Sequence, residues 1–188
     1  KSLVFDLKTF TNERDHIQKA IEENYWLFGE QFHLVSANEG FEKMLAKYVE
    51  VLNKTSGKKS KINSLEKNKR PDVFLARKHS VPDVLDDQLE MEENVIIELK
   101  RPNVPIAKEQ LRQIEDYLDI IINEDQFNSQ KRFWKFYIVS NQIDDIVKRE
   151  YDAFKDKGKR WLVKAINNYE IYALSWDDVF MNFQLRHK

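Results

Sequence analysis

Val95-Ile96-Ile97-Glu98-Leu99-Lys100 decides the reading of this chain. Three β-branched apolar residues lead into an acid, one apolar spacer and a lysine. The apolar run predicts a buried strand over about 94–100, and the period of two puts Glu98 and Lys100 on one side of it. Upstream, Arg70-Pro71-Asp72-Val73-Phe74-Leu75 predicts a second buried strand over about 71–77, with an acid at its start. Two carboxylates and a lysine meeting at the rim of a sheet suit one kind of chemistry, the binding of a divalent cation and hydrolysis of a phosphodiester.

Around these strands the pattern alternates. A short strand or leader is expected over 1–10. A helix follows over about 12–28, with Ile17, Ala20, Ile21, Tyr25 and Phe28 at helical spacing, Thr11 or Asn12 as its cap and Gly29 as its stop. A strand over 31–35 and a helix over 41–52 come next. Residues 53–70 read as a basic loop, with seven Lys and Arg against Glu66 alone. Residues 78–93 read as a long acidic connection carrying Asp83, Asp86, Asp87, Glu90, Glu92 and Glu93. Pro102 and Pro105 stop the Glu98 strand. A helix over about 107–122 places Leu111, Ile114, Leu118 and Ile121 on one face. A central aromatic strand over 133–139, a helix over 143–156, strands over 161–165 and 169–174 and a helix over 176–185 complete the order. Strands alternating with helices predict an α/β fold with a mixed sheet covered on both faces.

Composition narrows the function. The 188 residues suit one domain spanning 1–188, and the Lys-Ser-Leu start suggests a piece of a longer protein. A net charge of −1 means that any contact with nucleic acid must come from a local patch rather than from overall charge. There are no cysteines, which removes disulfides and thiolate metal sites and suits a cytoplasmic protein. The four histidines are scattered, without the spacing of a zinc site. No apolar run is long enough for a membrane span. Tyr25 and Trp26 read as core residues rather than base-stacking platforms.

Asp72, then Glu98-Leu99-Lys100, then Gln113-Ile114-Glu115-Asp116-Tyr117 on the following helix resemble the motifs of the PD-(D/E)xK nuclease superfamily. The wider pattern is similar to the Shedu family of anti-phage nucleases. It includes Glu22 to Glu30, Glu98 to Pro102 and the ending Ile171-Tyr172-Ala173-Leu174-Ser175-Trp176-Asp177-Asp178, and it covers roughly residues 13–182. The resemblance implies a restriction-endonuclease-like fold and an Mg²⁺- or Mn²⁺-dependent nuclease acting on DNA in prokaryotic defence. It also implies a homo-oligomer and a regulatory region N-terminal to this chain.

In that reading Asp72, Glu98 and the Leu99 carbonyl hold the metal, Lys100 is the catalytic lysine and Gln113 supports them. Glu30 is the first candidate for a further acid and Glu23 the second. Asp83 is a rival to Asp72, less favoured because its surroundings lack periodicity. Lys58, Lys59, Lys61, Lys69, Arg70 and Arg101 are candidates for phosphate contacts, since cations beside a metal site suit a nucleic-acid backbone. A different reading is a catalytically silent nucleic-acid-binding, regulatory or oligomerisation module with the same fold. Another is a purely structural interaction domain.

Overall fold

The computed structural model describes residues 13–53, 69–81, 89–124 and 127–188. The expected strand over 1–10, the caps Thr11 and Asn12, Asp83, and most of the basic loop, including Lys58, Lys59 and Lys61, lie outside these residues.

Six strands form one mixed sheet: β1 (His33–Ala37), β2 (Val73–Val81), β3 (Leu89–Leu99), β4 (Arg132–Ser140), β5 (Leu162–Ile166) and β6 (Tyr169–Ser175). Their spatial order is β1-β2-β3-β4-β6-β5. The β1, β2 and β3 strands pair antiparallel, β3, β4 and β6 pair parallel, and β5 returns antiparallel to β6. Helices α1 (Lys19–Glu23), α2 (Phe41–Asn53), α3 (Lys108–Ile122), α4 (Asp145–Glu150) and α5 (Trp176–Arg186) accompany it. The fold is α/β, with helices on both faces of the sheet, as the alternation of the sequence requires.

Each strand alternates between the two faces. Phe74, Ala76, Ile96, Phe136, Ile138 and Ile171 bury one side, against Phe41 and Leu45 of α2 and Ile114, Leu118 and Ile121 of α3. Val73, Leu75, Val95, Ile97, Leu99 and Val139 bury the other, against Ile17, Ile21, Trp176 and Val179. Because both faces are covered there, the stretches Val95–Ile97 of β3 and Phe136–Val139 of β4 are apolar nearly throughout. The α3 stripe is as expected, with Ile114, Leu118 and Ile121 buried and Leu111 packed at its margin. Ser175 starts α5 through a reciprocal cap. Its hydroxyl accepts from Asp178 N–H at 3.1 Å, and Asp178 Oδ2 accepts from Ser175 N–H at 2.8 Å.

Three expectations are corrected. The first helix is not continuous over 12–28: a π-helical turn (Glu13–Gln18) leads into α1, and a 3₁₀ turn (Tyr25–Phe28) follows. Gly29 does end it. Its φ is +152°, and a Cβ there would lie 2.6 Å from the Phe32 ring. The helix expected over 143–156 is α4 followed by a 3₁₀ segment, Tyr151–Lys157. The acidic stretch 78–93 is not simply a connection, because β2 and β3 continue into it as a two-stranded arm. Among its described residues, Glu92 and Glu93 have charged cross-strand partners. Arg77 lies opposite Glu93 and Lys78 opposite Glu92, and opposite charges facing each other stabilise such a pairing. Arg77 Nε donates to Glu93 at 2.6 Å, and Lys135 on β4 donates to the same carboxylate at 2.5 Å.

Candidate functional site

The start of β2, the end of β3 and the middle of α3 meet at one rim of the sheet. Val73 pairs with Ile97. Continuing the register by one residue sets Asp72 opposite Glu98, on the face that α3 covers. Asp72 Oδ2 accepts from the Leu99 N–H at 2.7 Å, which locks the two strand ends together. The N–H and C=O of one strand residue leave toward the same neighbour, so the Leu99 carbonyl also faces the Asp72 side. The Asp72 carbonyl accepts from Asn38 N–H at 2.9 Å and from Gln18 Nε2 at 3.2 Å, so its backbone is held from two directions.

Glu98 is 3% exposed and receives donors on both oxygens. Lys100 Nζ and Gln113 Nε2 reach Oε1 at 2.9 and 2.5 Å, and Tyr117 OH reaches Oε2 at 3.0 Å. Lys100 Nζ also donates to Gln113 Oε1 at 2.6 Å. Glu98, Lys100 and Gln113 therefore form a closed triangle, with Tyr117 behind it. Helical spacing explains the two α3 contributions, since residues four apart share a face. Burial first, and then the negative charge of Glu98, push the Tyr117 hydroxyl well above the usual phenol range, so it stays a donor. Asp72, Glu98 and Lys100, two acids and one base, are all buried.

Two corners of the triangle, Lys100 and Gln113, border a cleft of about 360 Å³ together with Val104, Glu109, Arg112 and Asp116. Lys69 pairs with Asp116 at this mouth, so it is engaged with α3. Arg70 and Arg101 are exposed, two residues before Asp72 and directly after Lys100. Arg112 is exposed on the cleft wall and was not marked by the sequence reading. It directly precedes Gln113, and that adjacency was the only signal for it.

Glu30 is not brought to this site. It is exposed and accepts from Arg186 Nε at 3.3 Å and pairs with His187 at 2.8 Å. Its own backbone N–H, helped by Arg186 and His187, holds its carboxyl below the usual range. The topology explains the correction. His33 at the start of β1 pairs with Ala76, well up β2 from Asp72, and Glu30 lies further out still. Glu23 is exposed as well. The first helical region instead presents Gln18 and Glu22. Gln18 Nε2 links Glu22 Oε1, at 3.1 Å, to the Asp72 carbonyl.

Among the described residues no group of three or more His, Cys, Asp or Glu side chains gathers to hold a metal ion. The rim offers two facing carboxylates, a carbonyl on the Asp72 side and the buried Gln18 Oε1, which has no hydrogen-bond donor among the described residues. This all-oxygen set fits a hard cation such as Mg²⁺, which needs only one or two carboxylates and keeps several waters. No helix among the described residues is long and apolar enough to cross a membrane. Compared with protein-family models, with curated proteins and with solved structures, the chain matches none.

Proposed function

We propose that this chain is a metal-dependent nuclease domain of restriction-endonuclease-like fold that hydrolyses DNA phosphodiester bonds, with a role in anti-phage defence as the resemblance implies. The observation that carries the chemistry is the closed triangle of Glu98, Lys100 and Gln113, set opposite Asp72, with Lys100 and Gln113 bordering one cleft. Asp72, Glu98 and the Leu99 carbonyl would hold the metal. When bound, Mg²⁺ or Mn²⁺ supplies a Lewis acid that lowers the pKa of water and polarises the phosphate.

Lys100 is the catalytic lysine. Its ammonium sits where it can stabilise negative charge developing on the phosphate oxygens. Gln113 keeps that ammonium beside Glu98, and Tyr117 keeps Glu98 from rotating. Arg112 borders the mouth, Arg70 and Arg101 are exposed near Asp72 and Lys100 in the chain, and the three receive the phosphate backbone.

Titrating Mn²⁺ into the wild type, Asp72→Asn and Glu98→Gln tests the metal site without reference to cleavage. The reading expects wild-type binding and at least about tenfold weaker binding in each variant. Equal binding by all three would overturn the assignment of the ligands.

A further inference from the structure

A second hollow lies behind the sheet. It occupies the face opposite Glu98, where Tyr137 of β4 lies beside Tyr172 of β6. Its volume is about 160 Å³, and its walls include Phe28, Tyr137, Trp161 and Tyr172, with Arg160 at the rim. The rings are arranged as a box: Tyr137 and Tyr172 meet edge-on at 5.3 Å between centroids, and Phe28 lies 6.1 Å from Tyr137.

Trp161 is the unusual wall. Its φ is +64°, in the left-handed region that bulky side chains avoid. The conformation is held in place, since the Trp161 carbonyl accepts from Ala173 N–H at 3.0 Å and the β5–β6 register shifts just beyond it. Strain of this kind costs stability and is retained where the side chain must point in one direction. Here it makes the indole a partition between the aromatic hollow and a neighbouring cleft of about 400 Å³, lined by Tyr151, Lys155, Lys159 and Arg160.

The cations of that cleft are not equivalent. Lys155 pairs with Asp152 and Lys159 with Glu170. Arg160 is exposed and has no acidic partner among the described residues. In the hollow itself, the Tyr137 hydroxyl has no hydrogen-bond partner among the described residues. A hollow of this size is smaller than a usual ligand pocket of roughly 300–1,000 Å³. It takes one ring system, and the rest of the ligand must lie in the adjoining basic cleft.

We propose that this pair of cavities binds a 5′-nucleoside monophosphate, with its base inside the box of Phe28, Tyr137, Trp161 and Tyr172 and its phosphate on Arg160. Aromatic walls accept any base by stacking, and a guanidinium suits phosphate. The ligand is either a free nucleotide or the phosphorylated 5′ end of a strand.

The test is calorimetric titration, without divalent metal, of the four nucleoside monophosphates, a nucleoside, inorganic phosphate and a 5′-phosphorylated oligonucleotide. The site requires that at least one monophosphate bind at about 1 mM or tighter, and more tightly than nucleoside or phosphate alone. Arg160→Ala should weaken it about tenfold, the loss of one charge-assisted contact. Trp161→Gly should abolish it; glycine relieves the strained backbone but also removes a ring packed on the core, so its melting curve is recorded beside the titration. Tyr137→Phe, which removes only a hydroxyl, should weaken binding several-fold with the fold intact.

If the oligonucleotide competes with the nucleotide, the ligand is a strand end; if it does not, the ligand is a free nucleotide. Binding of none of the four monophosphates, equal binding of inorganic phosphate, or wild-type affinity in Arg160→Ala and Tyr137→Phe would overturn the proposal. None of these readouts depends on metal or on cleavage, so its failure and that of the nuclease reading are distinct.

Discussion

Tyr117 donates its hydroxyl to Glu98 Oε2 at 3.0 Å, from a ring that is itself 1% exposed and packed 5.3 Å from Phe41. A helix thereby fixes the rotation of a carboxylate that ends a strand. Tyr117→Phe removes one hydrogen bond and no volume. It should cost about 1 kcal/mol of stability and lower DNA cleavage several-fold, through a less well-held Glu98. Melting curves and cleavage rates measured on the same variant check both effects.

The mouth of the cleft makes its own prediction. Arg112→Ala should weaken DNA binding in the absence of cleavage, about equally for all sequences. It should also reduce the slope of log K against log salt by about one. A binding isotherm at several salt concentrations reads this, and an unchanged slope would place Arg112 outside the phosphate path.

Alkaline stability follows from tyrosines whose phenols burial holds up, Tyr48, Tyr117 and Tyr137 among them. Burial holds Tyr48, Tyr117 and Tyr137 above the usual range, with Glu92, Glu98 and Glu93 respectively adding to the push. The folded state therefore keeps protons that the unfolded chain releases. Stability is complete below the unfolded value of about 10 and falls as pH rises above it, by about 1.4 kcal/mol per pH unit for each such tyrosine. Unfolding free energies between pH 9 and 11 should show this decline, and Tyr137→Phe should make it shallower by one tyrosine's share.

Glu93 supplies the acid limb. Burial would raise its pKa, but Lys135 and then Arg77 outweigh that and hold it below the usual carboxylate range. Its contribution is present above the unfolded value of about 4.3 and is lost as pH falls through the lower folded value. Glu93→Gln should destabilise the fold at neutral pH by about 2–3 kcal/mol. This is less than the 3–5 kcal/mol typical of a broken buried pair, because Arg77 and Lys135 keep some contact with water. The difference from wild type should shrink below about pH 4, as paired melting curves would show.

Much of this architecture was legible in the sequence because its signals are local. The apolar run Val95–Ile97 and the aromatic run Phe133–Val139 gave the two central strands, and the spacing of Ile114, Leu118 and Ile121 gave α3. The period of two that put Glu98 and Lys100 together is what the structure has. The errors arose where tertiary context prevails. Glu90, Glu92 and Glu93 looked like a solvated acidic connection because the charges opposite them, Arg77 and Lys78, sit on another strand. Glu30 looked close to the metal site because it is near the first helix in sequence, but the antiparallel course of β1 carries it away. Arg112 carries no signal beyond its adjacency to Gln113, and the strained Trp161 carries none. Their positions become apparent only when α3 closes over the cleft and the segment leading into β5, Lys159 to Trp161, closes over the hollow.

The most direct test of the central claim is cleavage of plasmid and linear DNA with Mg²⁺ or Mn²⁺ by the wild type beside folded Glu98→Ala and Lys100→Ala. The account predicts metal-dependent cleavage by the wild type and a loss of at least about a hundredfold in each variant. Cleavage at the wild-type rate by Lys100→Ala, or DNA left intact by the wild type with either metal, would contradict it.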